Sequence, residues 1–144
     1  MSSTPGNILT DICQTLRSDG EFEAVTIGSD NNAVRWPRAE VILVSVDETA
    51  ACDKPTGRWC TLKVKVCIHV RCDEPDGAYA RATELAESAA EALLTDRFRN
   101  QNCRDLPTGK ATSIGPLKVE PKVKEPYLAV AFEVRCNFES GGSQ

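Results

Sequence analysis

Two long stretches of the chain alternate apolar and polar residues, which is the period-2 pattern of a half-buried β-strand. They are WCTLKVKVCIHVRC, residues 59–72, and YLAVAFEVRCNF, residues 127–138. A third stretch, AEVILVSVDE at residues 39–48, is an apolar run that suits a central strand. Two shorter candidates are FEAVTIG, residues 22–28, and ATSIGPLKVE, residues 111–120, whose Gly-Pro pair favours an edge position. The pattern therefore predicts four to five strands.

Two other segments repeat their apolar residues at the 3.6-residue period of an amphipathic helix. The first runs from about Pro5 to Ser18 and is followed by Asp19-Gly20. The second lies within residues 73–96, and Asp73 or Asp76 is expected to cap its start. Its apolar stripe consists of Ala82, Leu85, Ala86, Ala89, Leu93 and Leu94. We expect Leu85 and Phe132 to be buried where this helix meets the sheet.

The order of these segments predicts an α+β fold, with a mostly antiparallel four- to five-stranded sheet and two helices packed on it. Strands 39–48 and 59–72 are separated by a short segment with proline and glycine at its tip. We therefore expect a protruding β-hairpin arm around residues 48–58. A chain of 144 residues fits one domain, so residues 1–144 are expected to form a single unit with flexible ends at about 1–5 and 139–144.

Composition and charge argue against several classes of protein. The chain is 41% hydrophobic and 26% charged, which is an ordinary globular composition. No apolar run approaches the roughly 20 residues of a membrane span, and the first residues lack the basic start and apolar centre of a signal peptide. We therefore expect no membrane partner and a protein that stays in the cytoplasm where it is made. A net charge of −4 disfavours a dedicated nucleic-acid binder, because neutralising phosphates requires a basic surface.

The most reactive residue types in the chain cluster in one strand. Cys67 and the single histidine, His69, share its polar face, whereas Cys60 and Cys72 belong to its apolar face. A strand rise places positions i and i+2 about 7 Å apart, which exceeds hydrogen-bond reach, and no third residue is identifiable that would orient the histidine. Nucleophilic catalysis by this pair is therefore disfavoured.

Metal binding by the same pair would need a further ligand from elsewhere in the chain. Cys103 and Cys136 are the available candidates, but their spacing matches no recognised metal-binding pattern. The seven cysteines are odd in number, irregularly spaced and without a CxxC pair, which indicates reduced thiols rather than a disulfide framework. We expect no metal, no cofactor and no catalytic residues.

Three glutamates of the second helix, Glu84, Glu87 and Glu91, recur at helical spacing on its polar face. Paired carboxylates that exchange protons in catalysis need burial, which this pattern denies them. A solvated helix face is the simpler interpretation. The same three side chains could also form an acidic surface that faces a partner or a lumen.

The chain contains, in this order, the first helix, RWPRAEVILVSV, the hairpin arm, TLKVKVCIHV, ATELAESAAEALL and YLAVAFEVRCNF. This arrangement resembles the tail terminator proteins of long-tailed bacteriophages, of the minor tail protein U type. The resemblance covers roughly residues 7–138 and rests on element order, size and texture. It implies a structural protein, not an enzyme. Such a subunit forms a ring of six copies at the head-proximal end of the tail, stops elongation of the tail tube and presents the surface that joins the head.

The same resemblance implies the partners: further copies of the chain, the tail tube protein and a head-completion or connector protein, with DNA passing through the lumen without specific binding. Another phage connector, head-completion or tail-tube protein is an alternative, as is a ligand-binding or enzymatic domain that uses Cys67 and His69. The arm is expected to make contacts between subunits or with the tail tube, because it offers too little apolar area to pack on its own domain. The interface candidates are Ala50, Ala51, Cys52, Asp53, Lys54, Glu84, Glu87 and Glu91.

Overall fold

The computed structural model describes residues 4–29, 35–51, 58–71, 74–107, 109–121, 123 and 126–140. Within these residues the chain forms two helices and six strands. In chain order they are α1 (Thr4–Asp19), β1 (Ala24–Ile27), β2 (Arg38–Ala51), β3 (Arg58–Arg71), α2 (Pro75–Thr95), β4 (Thr112–Ile114), β5 (Lys118–Val119) and β6 (Tyr127–Ser140). The ends that were expected to be flexible thus include residues 4 and 5 of α1 and residues 139 and 140 of β6.

The strands form one mixed sheet in the order β1-β2-β3-β6-β4, and β5 also pairs with β6. The α+β class is confirmed, but the prediction of a mostly antiparallel sheet of four to five strands is wrong in two respects. β1 runs parallel to β2, with Ala24 opposite Arg38, because the chain crosses back between them instead of turning in a tight hairpin. ATSIGPLKVE forms two strands, because residues 115–117 interrupt it between β4 and β5.

The core lies between the two helices and one face of the sheet. β3 and β6 pair antiparallel over all fourteen residues, so their alternating apolar positions form a continuous surface. Leu85 of α2 and Phe132 of β6 are both buried in this core, as expected. The predicted stripe of α2 is confirmed apart from Leu94, which is 45% exposed. The N-cap of α2 is Glu74 rather than Asp76, which lies in the first turn; Asp73 is outside the described residues.

The opposite face of the sheet carries the polar residues of β3 and is called here the helix-free face. It holds a second, smaller buried cluster of Cys67, Ala129 and Ala131, against which Ile42 and Val123 pack. The segment after β4 crosses near this cluster, because β5 pairs with β6 at Ala131 and Val130. Cys67 is consequently buried even though it lies on the face that the helices do not cover.

Residues 38–51 of β2 pair with the shorter stretch 58–69 of β3, because β2 contains two register shifts. One shift lies between Leu43 and Ser45 and the other between Glu48 and Ala50. Each shift leaves one residue of β2 without a counterpart, as in a β-bulge. β1 pairs only with residues 38–41 of β2. Among the described residues, no strand pairs with the outer edge of β2 from Ile42 onward.

The two strands of the expected hairpin arm stay paired as far as Ala51 opposite Arg58. Residues 52–57, which would form the tip of the arm, lie outside the described residues. The two paired strands, called the β2–β3 ribbon below, therefore stay paired further than the sequence indicated, since Ala50 and Ala51 belong to β2.

The connection after α2 contains the buried Arg99. Its guanidinium donates hydrogen bonds to Asp11 and Thr15 of α1, both at 2.9 Å, and to the Leu93 carbonyl at 2.8 Å. One side chain thus joins the two helices. In the part of the chain described here, neither helix combines the length and hydropathy needed to span a membrane.

Candidate functional site

Three side chains that bear metal-ligand atoms meet on the helix-free face. The Cys67 Sγ lies 3.3 Å from the His69 Nε2, and the same nitrogen lies 2.9 Å from the Glu40 Oε1. Glu40 and Cys67 are buried, and the His69 side chain is 16% exposed. All three ligand atoms lie within 4.8 Å of one another. This group is called the Glu40–Cys67–His69 cluster below.

Strand register brings the cluster together. In the β2–β3 pairing, Glu40 is directly opposite Cys67 and Arg38 is directly opposite His69. Residues opposite each other in an antiparallel pair point to the same face, with Cβ atoms about 4.5–5.5 Å apart. Residues i and i+2 of one strand also share a face. The convergence therefore follows from backbone pairing within the sheet.

The expectation that Cys67 and His69 lie beyond hydrogen-bond reach is wrong. The separation of about 7 Å is a backbone rise, and it does not include the length of the side chains. A histidine ring that leans along the strand covers most of that distance. The expectation that no third residue orients the histidine is also wrong, because Glu40 contacts its ring at Nε2.

Sequence reasoning missed Glu40 because it sits inside the apolar run AEVILV. An acidic residue in such a run is a signal in itself, since a buried carboxylate needs a partner. Here Arg38 supplies one, with its Nη1 2.7 Å from the Glu40 Oε2. The identity of the strand opposite Glu40 could not be read from the sequence, so its proximity to Cys67 and His69 could not be foreseen.

The geometry does not suit a cysteine nucleophile. A general base that is held by a carboxylate uses its two ring nitrogens for the two partners, whereas here the thiol and the carboxylate contact the same nitrogen. Burial, with a contribution from the Glu40 carboxylate, raises the pKa of Cys67 to about 12. The reactive thiolate is therefore scarce near neutral pH.

The metal set that the sequence left open but disfavoured, Cys67 and His69 with Cys103 or Cys136, does not come together in the structure. Both cysteines belong to the core between the helices and the sheet, on the opposite face from Cys67. The neighbouring Cys136 thiol, together with burial, raises the pKa of Cys103. The five described cysteines, Cys13, Cys60, Cys67, Cys103 and Cys136, are all buried free thiols.

The interface candidates fall in two separate places. Glu84, Glu87 and Glu91 are all exposed on α2, on the side away from the core. Ala50 and Ala51 lie at the far end of β2, opposite Trp59 and Arg58. The remaining candidates, Cys52, Asp53 and Lys54, lie outside the described residues. Among the described residues, the three glutamates of α2 and the two alanines of β2 do not form one surface.

A further surface, which sequence reasoning did not single out, follows the open part of β2. Leu43, Val44 and Val46 are 48%, 53% and 46% exposed. Leu43 and Val46 lie opposite Val64 and Leu62, whose side chains are buried in the core. The apolar surface of the core thus continues outward along this strand into solvent. Leu43, Val44 and Val46 are called the apolar edge of β2 below.

Comparison with known proteins finds matches among solved structures. No protein-family model and no curated protein matches the sequence. Among solved structures, the chain is similar to a chain of the virion of a native gene transfer agent particle. The two are 14% identical, with a TM-score of 0.49, and the match covers 92% of this chain and 94% of that chain. At this identity and TM-score the likeness establishes no shared function.

Proposed function

We propose that this protein is a structural subunit of a phage or phage-like virion that assembles with copies of itself into a ring. Within that class we propose the role of tail terminator, which caps the tail tube, stops its elongation and joins it to the head. The protein would then reside at the head-proximal end of the virion tail after synthesis in the host cytoplasm. Its partners would be its own copies, the tail tube protein and a head-completion or connector protein.

The observation that carries the assembly part of this proposal is the apolar edge of β2. From Ile42 onward the outer backbone groups of β2 have no strand partner among the described residues. Such an edge is a template for pairing with another chain, and natural proteins usually protect it with charge, proline or a covering segment. Here the edge instead presents Leu43, Val44 and Val46 to solvent.

The described part of β2 contains only partial protection of this edge. Its bulges twist the strand, and Asp47 and Glu48 place charge beyond the apolar residues. Neither covers Val44 or Val46. A second copy that packs against these side chains would remove apolar area from water and satisfy the free backbone groups at the same time.

The finer assignment to a tail terminator rests on the sequence resemblance in element order. The long β2–β3 ribbon is compatible with the arm that this assignment requires. A structural role also fits the Glu40–Cys67–His69 cluster, whose buried thiol and shared nitrogen do not suit nucleophilic catalysis. We therefore propose that the protein is not an enzyme.

Replacing Val46 by lysine tests the assembly role. Lysine on an edge strand is a natural barrier to edge-to-edge pairing, so Val46→Lys should abolish or sharply reduce rings in native mass spectrometry and electron microscopy. Because Val46 is half-exposed, the free energy of unfolding should change by no more than about 0.5 kcal/mol.

Leu94→Lys is the matched control, because Leu94 is equally exposed but lies on α2. It should leave ring formation unchanged. A wild-type chain that stays monomeric at all concentrations, with and without tail tube protein, would refute the proposal. Equal loss of rings in both variants would show that the apolar edge of β2 has no special role.

A further inference from the structure

We propose that the Glu40–Cys67–His69 cluster is a zinc-binding site with three protein ligands and an open fourth position. The ligand atoms are the Glu40 Oε1, the Cys67 Sγ and the His69 Nε2. This inference is independent of ring formation, because all three ligands come from one sheet of one chain. It also differs from the metal set considered from the sequence, since its third ligand is a carboxylate of β2 instead of a distant cysteine.

Two of the three distances between the ligand atoms are close to those of a zinc site. Zinc binds sulfur at about 2.3 Å, imidazole nitrogen at about 2.0–2.1 Å and carboxylate oxygen at about 2.0–2.2 Å, with tetrahedral angles. Those bond lengths place neighbouring ligand atoms about 3.3–3.6 Å apart. The observed separations from the His69 Nε2 are 3.3 Å to sulfur and 2.9 Å to oxygen. The third pair, the Glu40 Oε1 and the Cys67 Sγ, lies within 4.8 Å, so side-chain adjustment within the cluster would bring the three atoms around one ion.

The kinds of ligand also select the metal. A thiolate and an imidazole suit zinc and disfavour magnesium and calcium, which prefer oxygen ligands at every position. Zinc sites with three protein ligands commonly keep the fourth position for water. The partial exposure of the His69 side chain gives the ion and this water a path from solvent. The Cys67 thiol would release its proton to solvent as the ion binds.

Groups around the cluster hold its ligands in place. Arg38 binds the Glu40 Oε2 and thereby leaves Oε1 directed at the histidine. The cross-strand neighbours of Cys67 and His69 on β6 are Ala131 and Ala129, whose small side chains leave room beside the ligands and are themselves buried. Outer contacts of this kind orient metal ligands and limit solvent access. Ligands mounted on paired strands are also positioned more precisely than ligands on loops.

The site does not have to form for the domain to fold. Its three residues lie on the helix-free face, while the helices and the sheet share a separate, much larger core. Zinc should thus stabilise the folded chain by mass action without being required for folding. Chelation should remove the ion and lower the unfolding temperature, and the protein should remain folded.

The first experiment measures metal affinity of the full chain after treatment with a chelator. Zinc should bind at one equivalent in competition with a chromophoric chelator, and cobalt should give the near-ultraviolet charge-transfer band of a thiolate ligand. Cys67→Ala, His69→Gln and Glu40→Gln should each lower affinity at least 10- to 100-fold, the loss typical of outer partners of metal ligands. Cys67→Ala should also abolish the cobalt charge-transfer band.

Two matched controls should leave both signals unchanged. Cys60→Ala removes a buried thiol of the same strand from the opposite face, and Asp47→Asn removes a carboxylate of β2 whose partner is Lys63. Magnesium and calcium should not compete with zinc. Absence of zinc binding to the wild-type chain, or retention of affinity and of the cobalt band in Cys67→Ala, would overturn the proposal.

A measurement on the wild-type chain keeps the test decisive if a ligand variant fails to fold. Trypsin cleavage after Lys65 and Arg71 isolates residues 66–71, which contain Cys67 alone among the cysteines. Cleavage after Arg58 and Lys63 isolates Cys60 in the same way. Zinc should slow alkylation of Cys67 several-fold more than that of Cys60. Equal protection of both thiols would contradict coordination by Cys67.

Discussion

At the scale of single residues, Arg99 joins α1 to the end of α2 through buried hydrogen bonds. It is 1% exposed and lies in a run of three non-glycine residues with positive φ, at 47°, 56° and 66°. Non-glycine residues rarely adopt this conformation unless other contacts hold it. The bonds from the guanidinium to α1 and to the end of α2 provide those contacts.

The ion pair between Arg99 and Asp11 is only part of this arrangement. Burial raises the pKa of the Asp11 carboxyl more than the Arg99 guanidinium lowers it. The ion pair thus does not offset the full cost of burying the Asp11 carboxylate. The buried guanidinium is held by carbonyl oxygens and the Thr15 hydroxyl as well. Sequence patterns gave no sign of this role, because the arginine sits in an unpatterned polar connection.

Arg99→Met should therefore destabilise the fold severely. It removes the cation, leaves the buried oxygens without a donor and releases the strained turn, so we expect a loss of about 3–5 kcal/mol in the free energy of unfolding. Urea unfolding followed by circular dichroism measures it. Arg97→Met is the control, because its ion pair with Asp105 is exposed and should contribute little to stability. A loss for Arg99→Met no larger than that of the control would show that Arg99 does not join the helices.

At the scale of elements, the long strands and both helices could be predicted because each has one buried face. β3 and β6 alternate cleanly since one side of each packs on the helices. The parallel pairing of β1 with β2 and the pairing of β6 with β4 and β5 could not be predicted, because strand pairing joins distant segments that share no local pattern. The same limit hid Glu40 from the candidate site, as its neighbours are set by register rather than by spacing along the chain.

The ribbon of β2 and β3 allows a sharp test of the arm. Residues 50 and 51 are paired within the ribbon, so the part expected to contact other subunits is the tip at residues 52–57. We expect replacement of these residues by Asn-Gly, which forms a tight hairpin turn, to leave the thermal unfolding temperature within a few degrees of wild type. The same change should weaken ring formation or tail joining.

A matched control for the tip is a scrambled sequence of the same six residues, which preserves loop length and composition. It should impair assembly as the Asn-Gly variant does if specific contacts matter, and should be tolerated if only length matters. Normal rings and normal infectious particles with the Asn-Gly turn would show that the tip is an ordinary loop.

At the scale of the whole molecule, charge limits what a ring could do with DNA. Each copy carries a net charge of −4, so a ring of any size is acidic overall. The basic side chains of β3 do not form a free cationic stripe: Lys63 lies 3.6 Å from Asp47, Lys65 pairs with Glu120, and Arg71 lies over the ring of Tyr127. A DNA passage lined by such a surface would let the duplex slide without holding it.

We therefore expect DNA binding no tighter than the micromolar range, about 10⁻⁶ M, and a further loss of affinity between about 50 and 200 mM salt. Fluorescence anisotropy with duplexes of unrelated sequence checks both statements. Glu84→Lys, which reverses one exposed charge on α2, should strengthen binding slightly if that helix faces the DNA. Sequence-specific retention at physiological salt would contradict a structural role.

Each of the two bulges of β2 changes which alternate positions of the strand face the core. The first exchanges the residues that face the core for those that face away, which is why Val46 rather than Ser45 lies on the same side as Leu43. The second exchanges them back before the ribbon ends at Ala51. Loss of residue 44 or of residue 49 alone would remove one bulge and leave the paired residues opposite the partners they have now, because each extra residue has no counterpart on β3. Single-residue changes in length should thus be tolerated at these two positions, so that the strand can lengthen or shorten during evolution without rotating the arm away from the surface it meets.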